Sequence, residues 1–492
     1  MAVTAAENRL RHGAVGLPEV LFQAITDMAP GVGAAFAIII GASFAGAALP
    51  LAVALATLGC FLTAISLSQL VKHMPTAGSF YTYTSQALHP SVGFLLGWLY
   101  ALGYAAGFPL CIVLLGVIVP AVFGPASLWW LWVVLGSVIV VTLAYFGVRI
   151  ATRVGLALGV IEIAIFLALA VTLIAKAGSQ NTLAVFSLSS ANISGYVGVS
   201  GIFAGLIYAI FAYIGFENAA PLAEETRNPR RNIALAALGS SLGIGIYYVI
   251  VTYGGAVFFG PSKMAGFAAY NGGNPYQALA NAVWGGAGIL VAFALINSSI
   301  ACSNAINLAT TRVWYAMGRI RLLPGVFAHV HPKYRTPDVA IIVAFLVNLV
   351  AALGLGFKYG PFTAFAILGT ILTLVAVLNY IVLNVSSFAY YIRFQRSEFN
   401  IVTHGIIPLL GVGLFVPVFL TAAGITVFSF VSPLPAPLSY AGAVIGVWFV
   451  VGVIYMIYLY RVDPSRIAAT KTVFTEEAGV EGSVRAAPAP GT

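Results

Sequence analysis

Long apolar stretches alternate with short polar ones along nearly the whole chain. A helix needs about 20 mostly apolar residues to cross a bilayer, and twelve stretches approach or exceed that length. The pattern therefore predicts an all-α membrane protein with about twelve transmembrane helices. The predicted segments, numbered 1 to 12, are 18–44, 47–71, 91–122, 128–148, 152–176, 197–222, 232–259, 280–310, 338–357, 362–392, 405–431 and 438–460.

Composition and charge agree with a membrane protein. Of the 492 residues, 61% are hydrophobic and only 7% are charged, whereas soluble domains are about 25% charged. The net charge of +9 could suggest a nucleic-acid partner, but nineteen of the 22 basic residues lie in alternate loops. That placement orients a chain in a lipid bilayer. It predicts a multi-pass protein of the cell membrane with both termini in the cytoplasm, and no nucleic-acid partner.

The sequence lacks the motifs that are typical of metal-binding proteins, enzymes, nucleotide-driven pumps and channels. Cys60, Cys111 and Cys302 lie in apolar runs, and the six histidines show no HxxxH or HExxH spacing, so we expect no metal site and no cofactor. There is no nucleophile–base pair, no GxxxxGK[ST] and no TVGYG filter. These absences argue against an enzyme, a nucleotide-driven pump and a channel.

Two predicted segments contain sequences that disfavour a continuous helix. Segment 1 carries APGVG at 29–33, which combines a proline that lacks an N–H with two flexible glycines. Segment 6 carries Glu217 inside its apolar run and should loosen around 212–215. We expect both helices to break near the middle of the membrane.

The two expected breaks lie in the first helices of two successive five-helix blocks. Because five is odd, the second block would be inserted in the opposite orientation to the first. Broken helices in an inverted repeat place a substrate site at the repeat interface. The freed N–H groups suit an anion and the freed carbonyls suit a cation, so a zwitterion matches both. The alternative is a pair of kinks that only pack helices.

Several motifs resemble the amino acid–polyamine–organocation (APC) permease superfamily. GFENAAPLAEETRNPRRNI, from position 215, is similar to its signature, as are PTAGSFYTYT after segment 2 and ATTRVWYAMGRIRLLP at the end of segment 8. The resemblance spans roughly 18–460. It implies a leucine-transporter-type fold, which is a 5+5 inverted repeat with helices 1 and 6 broken, followed by helices 11 and 12. It also implies alternating-access transport of amino acids or related amines.

The resemblance implies a substrate site at the two breaks. The amides of 31–33 match those that bind a substrate carboxylate, with valine at the middle position, where many members have Ser or Thr. Phe211 matches an aromatic residue that caps the substrate, and the residues after it match carbonyls that face the ammonium. The candidate substrate-binding residues are Ala29, Pro30, Gly31, Val32, Gly33, Phe211, Ala212, Tyr213, Ile214 and Gly215.

Three carboxylates lie in predicted membrane segments, where an ionisable group is expensive and is a candidate functional residue by default. Glu217 matches the family glutamate and is either a proton carrier or, as we favour, an acceptor for amides freed at the break. Glu162 lies at a position where many family members have a lysine that takes the place of a sodium ion. It is either an ion-coupling group, as we favour, or a neutral carboxylic acid that forms hydrogen bonds between helices. Asp27 either attracts the substrate ammonium or a cation, or lies near the inner interface.

Segment 8 provides a candidate cation site in Asn297, Ser298 and Ser299. Their oxygens suit Na⁺, and in the leucine-transporter fold this helix and the helix 1 break hold sodium together. Such residues in membrane helices more often form interhelical hydrogen bonds. The coupling ion, H⁺ or Na⁺, therefore stays open at this point.

The predicted organisation follows from these elements. It comprises a cytoplasmic N-terminal segment (1–17), a first repeat (18–176), a second, inverted repeat (197–396), helices 11 and 12 (405–461) and a disordered cytoplasmic tail (462–492). The predicted function is secondary active transport of a small molecule, an amino acid or a related amine, coupled to protons or by exchange. The alternatives are a sodium-coupled amine symporter and a potassium-uptake protein on the same fold. The sequence gives no oligomeric state.

Overall fold

The chain forms almost only helices. The computed structural model describes residues 15–75, 79–146, 152–223, 226–319 and 321–468. Most of the predicted N-terminal segment, most of the predicted tail, and Glu224 and Glu225 lie outside these residues. Within them, the sheet structure is a single antiparallel pair of two-residue strands, Asn192–Ile193 with Tyr196–Val197. The prediction of an all-α membrane protein is confirmed.

Eleven helices among the described residues are long and apolar enough to span a membrane. The first, Leu17–His73, is 57 residues long and contains predicted segments 1 and 2. All twelve predicted segments therefore correspond to helices, which keep the segment numbers here. The uninterrupted ones are helix 2 (Leu49–His73), helix 3 (Pro90–Val113), helix 4 (Trp129–Tyr145), helix 5 (Thr152–Ala177), helix 7 (Pro229–Phe259), helix 8 (Ile289–Arg319), helix 9 (Asp338–Tyr359), helix 10 (Pro361–Phe394), helix 11 (Ile407–Ala423) and helix 12 (Tyr440–Val462).

Helices 1 and 6 are interrupted, as the sequence predicts. Helix 1 consists of Leu17–Met28, Pro30–Val32, the π-helical Gly33–Ala37, Ile38–Ile40 and Ala42–Ala45. Helix 6 consists of Val199–Phe211 and, after a four-residue turn, the 3₁₀-helical Phe216–Leu222. Membrane helices tolerate such breaks only where the surrounding protein satisfies the freed backbone groups.

Short helical pieces connect the long helices. The α-helical ones are Leu115–Ile118, Pro120–Phe123, Ser79–Ala87, Pro275–Trp284 and Ser465–Ala468. Ile401–Ile406 is π-helical. The 3₁₀ turns are Gly46–Ala48, Ala126–Leu128, Gly178–Gln180, Leu183–Phe186, Leu188–Ser190, Pro261–Gly266, Tyr270–Gly273, Gly285–Gly288, Gly325–Ala328 and Arg396–Glu398.

Helices 3, 8 and 11 differ clearly from their predicted bounds. Helix 3 ends at Val113 rather than 122, with two short helices after it, and helix 8 continues to Arg319 rather than 310. Helix 8 begins at Ile289 rather than 280, because Gly285, with a φ of +59°, separates it from Pro275–Trp284. Helix 11 ends at Ala423 rather than 431, because Gly424 caps it in the left-handed region with a φ of +72°. Hydropathy did not mark either position, since the apolar composition continues across both glycines.

Helices 1, 6 and 10 form the centre of the molecule. In helix 6, 89% of the apolar stretch is buried, against 17% in helix 12 at the periphery. Helices 1 and 6 pack backbone to backbone: a Cβ on Gly41 would lie 2.9 Å from the carbonyl oxygen of Gly205. At one end of this pair, the Arg227 N–H donates to the carbonyl of Val15 at 2.8 Å. The two broken helices are therefore neighbours along their length.

Candidate functional site

The break in helix 1 is centred on Ala29. This residue has a φ of +46°, which is uncommon for a residue with a side chain, and Pro30 after it has no N–H. The backbone carbonyls of Met28 and Pro30 have hydrogen-bond partners on another helix. The Tyr248 hydroxyl lies 2.9 Å from the carbonyl oxygen of Met28, and the Tyr247 hydroxyl lies 3.2 Å from that of Pro30.

The break in helix 6 covers 212–215, the four residues that the sequence indicated. Gly215 has a φ of +130°, which favours glycine. A Cβ there would lie 2.7 Å from the Cβ of Asp27 and 2.8 Å from the amide nitrogen of Met28. The absence of a side chain at Gly215 therefore allows both the turn in helix 6 and the close approach of the two breaks.

One tyrosine on helix 7 joins the two breaks. The Tyr248 hydroxyl is 2.9 Å from the carbonyl oxygens of both Met28 and Ala212. A hydroxyl has one hydrogen to donate, so the two carbonyls share it. The sequence pattern did not indicate Tyr247 or Tyr248 as site residues. The signal that could have found them is a pair of adjacent tyrosines within an apolar helix, where each hydroxyl needs a partner.

A small cavity of about 30 Å³ lies between the two breaks. Six of the ten candidate substrate-binding residues line it, namely Ala29, Val32, Gly33, Phe211, Ala212 and Ile214. The other four, Pro30, Gly31, Tyr213 and Gly215, are not in its wall. Tyr213 instead meets Thr57 of helix 2, with 2.5 Å between the hydroxyl oxygens. Helices 3, 8 and 10 complete the wall with Leu110, Cys111, Cys302, Ile306 and Leu372.

Asp27 and Asn218 also belong to this mostly apolar wall. Asp27 is buried, with 4% of its surface exposed, and its carboxylate accepts a hydrogen bond from the side-chain amide of Gln23 at 3.3 Å. Among the described residues, no lysine or arginine forms an ion pair with Asp27. Asp27 is thus a residue of the cavity wall whose buried carboxylate has a neutral partner, which suits the binding of a cationic group.

Glu162 of helix 5 lies on the far side of the helix 1 break. One carboxylate oxygen accepts the Gly31 N–H at 2.6 Å, and the other accepts from the Asn297 amide at 3.0 Å. The Ser298 hydroxyl accepts the Val32 N–H at 3.2 Å. Glu162 and two residues of the candidate cation site therefore form one polar cluster with the break. Ser299, the third residue of that set, is buried, and its hydroxyl has no hydrogen-bond partner within the described chain.

These contacts occupy the backbone amides that were expected to bind the carboxylate of a substrate. The Gly31 and Val32 amides already donate to side chains, and the Gly33 N–H donates to the carbonyl of Ala29 at 2.7 Å. Since Pro30 has no N–H, each N–H from 30 to 33 has an acceptor within the protein. In this conformation, a substrate carboxylate would have to displace Glu162 or Ser298 to reach them.

Glu217 has a different environment from Asp27. Its carboxylate accepts the N–H of Gly215 at 3.0 Å and the hydroxyl of Tyr380, on helix 10, at 3.0 Å. It is buried and is not among the residues that line the cavity. Its contacts are those of a group that satisfies an amide freed at the break and ties helix 6 to helix 10.

Comparisons with known proteins agree with this architecture. The fold resembles the crystal structure of the Eremococcus coleocola manganese transporter in complex with an aromatic bis-isothiourea compound. The TM-score is 0.57 with 16% identity, covering 92% of this chain and 94% of that one. Identity at this level shows a common fold alone.

Similarity in sequence is more specific. The low-affinity putrescine importer PlaP of Escherichia coli (strain K12) is 30% identical over 360 residues, which cover 71% of this chain and 75% of PlaP. The branched-chain amino acid permease BcaP of Bacillus subtilis (strain 168) is 27% identical over 325 residues, covering 61% of this chain and 66% of BcaP. The amino acid permease family model matches residues 19–466. The chain therefore belongs to the amino acid permease family, within the APC superfamily, and is a membrane transporter rather than an enzyme.

Proposed function

We propose that this protein is a secondary transporter of an organic amine, which it binds by its ammonium group at Asp27. The observation that carries the proposal is that Asp27, whose carboxylate is buried, is a residue of the wall of the cavity between the two helix breaks. A carboxylate inside the membrane costs about 2.5–3.5 kcal/mol on insertion scales. A bound ammonium would offset that cost at the place where the carboxylate lies.

The same cavity offers little to a substrate carboxylate. The amides of 31–33 are hydrogen-bonded within the protein, and no lysine or arginine among the described residues lines the cavity. The rest of the wall is largely apolar and suits a hydrocarbon chain. The two relatives described above are named for substrates that differ in having a carboxylate. PlaP is named for putrescine, a diamine without a carboxylate, and BcaP for branched-chain amino acids. The residues of this site favour the amine.

We infer that transport proceeds by alternating access, because the cavity is far smaller than an amine with a carbon chain. The contacts that close it join separate helices, so they must change when substrate enters. The Tyr248 hydroxyl contacts a carbonyl at each of the two breaks. Loss of these hydrogen bonds would allow helices 1 and 6 to separate there. The membrane is the cell membrane, with both termini on the cytoplasmic side as the charge distribution indicates.

Glu162 is the proposed coupling group. It binds the Gly31 amide and Asn297 at once, so a change in its protonation alters the hydrogen bonding of the helix 1 break. Protonation removes the negative charge that accepts these bonds. A proton taken up at Glu162 is therefore linked to the shape of the break, on which the cavity depends. The sodium alternative uses the same cluster, with Ser298 and Ser299 as further oxygen ligands.

The proposed function is tested by uptake into proteoliposomes containing the purified protein. The substrates are matched pairs that differ by a carboxylate: ornithine and putrescine, lysine and cadaverine, leucine and isoamylamine. We expect the amine of at least one pair to be taken up with a higher kcat/KM than its parent amino acid, because the site binds the ammonium and offers no free partner to the carboxylate.

The other outcomes separate the parts of the proposal. Uptake of amino acids without uptake of amines would contradict the ammonium-only site but leave a transporter. If neither class enters under a proton gradient, a sodium gradient or internal substrate, the proposed function is wrong. Uptake of potassium alone under those conditions would favour the cation-uptake alternative.

Replacing Asp27 with asparagine should abolish recognition of the ammonium. Breaking one partner of a buried ion pair costs about 3–5 kcal/mol, which corresponds to at least about a 100-fold loss of affinity. The measurement is binding or uptake of the preferred amine by Asp27→Asn. Glu19→Gln is the matched control, because Glu19 is an exposed carboxylate on the same half-helix. Equal affinity of Asp27→Asn and Glu19→Gln protein would show that the ammonium binds elsewhere.

Replacing Glu162 with glutamine should uncouple transport from the proton gradient. Glutamine keeps an oxygen for the Gly31 amide but cannot take up or release a proton. We expect Glu162→Gln protein to exchange internal for external amine but not to accumulate it when the lumen is made alkaline. The readout is the ratio of uptake with and without the gradient. Glu217→Gln is the control and should keep the wild-type ratio.

Two results would overturn this assignment. One is a wild-type gradient response in Glu162→Gln protein, which would place coupling at another group. The other is a response to sodium but not to protons in the wild-type protein. The second result would assign the cluster of Asn297, Ser298 and Ser299 to a cation instead.

A further inference from the structure

Two cysteines from different helices meet in the wall of the cavity. Cys111 lies on helix 3 and Cys302 on helix 8, and their sulfur atoms are 3.2 Å apart. Both are buried, with 2% and 3% of their surfaces exposed, and both are free thiols. Neither has a part in the proposed binding of the amine or in its coupling. Although the two cysteines are 191 residues apart in the chain, the fold brings their nucleophilic sulfur atoms into contact.

The pair lies next to the proposed ammonium site. The Cys302 thiol is 3.4 Å from the backbone carbonyl oxygen of Asp27, and both cysteines line the cavity together with Asp27. An atom bound by both sulfurs would therefore lie beside the position proposed for the substrate. Cys60, the third cysteine, is buried on helix 2 and is not in the cavity wall.

We propose that Cys111 and Cys302 form a dithiol site that binds trivalent arsenicals and thereby blocks transport. Trivalent arsenic bonds to two sulfurs at roughly a right angle, which holds them close to the separation seen here. A thiophilic metal ion that prefers a linear arrangement of two thiolates would require the sulfurs to move farther apart. The short distance between the sulfurs therefore favours arsenic.

The reaction with an aryl arsenoxide balances without any further reactant. Two S–H bonds and the bond between arsenic and oxygen break, and two As–S bonds form. The oxygen leaves as water with both thiol protons. Arsenic stays trivalent and both sulfurs keep their oxidation state. The product carries no charge, so an apolar wall can enclose it without the desolvation cost of an ion.

The adduct would occupy the substrate cavity. The cavity is about 30 Å³ when closed, so the arsenical enters when the transport cycle opens it. The aryl group then lies where the carbon chain of the amine would be. Substrate at saturating concentration should slow the modification, because both ligands need the same space.

The first test measures the adduct directly and does not depend on transport. The purified protein is treated with phenylarsine oxide, and its intact mass is determined. We expect one phenylarsenic group per chain in the wild type and in Cys60→Ala, and none in Cys111→Ala or Cys302→Ala. An adduct that persists in Cys111→Ala and Cys302→Ala, or one that disappears in Cys60→Ala, would overturn the site.

The second test measures its effect on uptake. In proteoliposomes, phenylarsine oxide should remove nearly all uptake of the preferred amine by wild-type and Cys60→Ala protein, and dimercaptopropanol should restore it. Each cysteine variant is compared with its own untreated sample, so a lower basal rate does not obscure the result. Full uptake by protein that carries the adduct would show that the dithiol lies outside the transport path. An adduct on protein that transports no substrate would support the site while contradicting the proposed function.

Discussion

Broken helices inside a membrane leave backbone groups that water cannot satisfy, and this constraint accounts for most of the polar contacts at the centre of the protein. Two breaks face each other here, one at Ala29 and one at 212–215. Carbonyls at the breaks accept from Tyr247 and Tyr248. The side chains of Glu162, Ser298 and Glu217 accept amide hydrogens there. The breaks persist because five side chains from four helices replace the missing backbone partners.

This constraint also separates the three buried carboxylates by role. Glu162 and Glu217 each accept a backbone N–H at a break, so their positions are explained by the backbone. Asp27 accepts from the side chain of Gln23 and is a residue of the cavity wall. It is the carboxylate whose position the breaks do not explain, and for that reason we assign it to the substrate. Glu162 differs from Glu217 in contacting helix 8 as well, which makes it the better candidate for ion coupling.

The sequence predicted the membrane helices and both breaks because these follow from local properties. Apolar length indicates a spanning helix, and APGVG at 29–33 indicates an interruption wherever the helix packs. The contacts of the site depended instead on how each helix is rotated about its axis. The sequence left two interpretations of Asp27 open, and it could not indicate that Tyr213 turns towards Thr57 while Phe211 lines the cavity. The role of Tyr248 could not be predicted because its hydroxyl contacts two carbonyls that are distant from it in the chain.

A structure with a bound substrate tests whether Asp27 binds the ammonium group. We expect the ammonium nitrogen to lie within hydrogen-bond distance of the Asp27 carboxylate. We also expect that the Gly31 and Val32 amides still donate to Glu162 and Ser298. The contradicting result is a substrate carboxylate bound to those two amides, with Glu162 and Ser298 displaced and no contact between the substrate and Asp27.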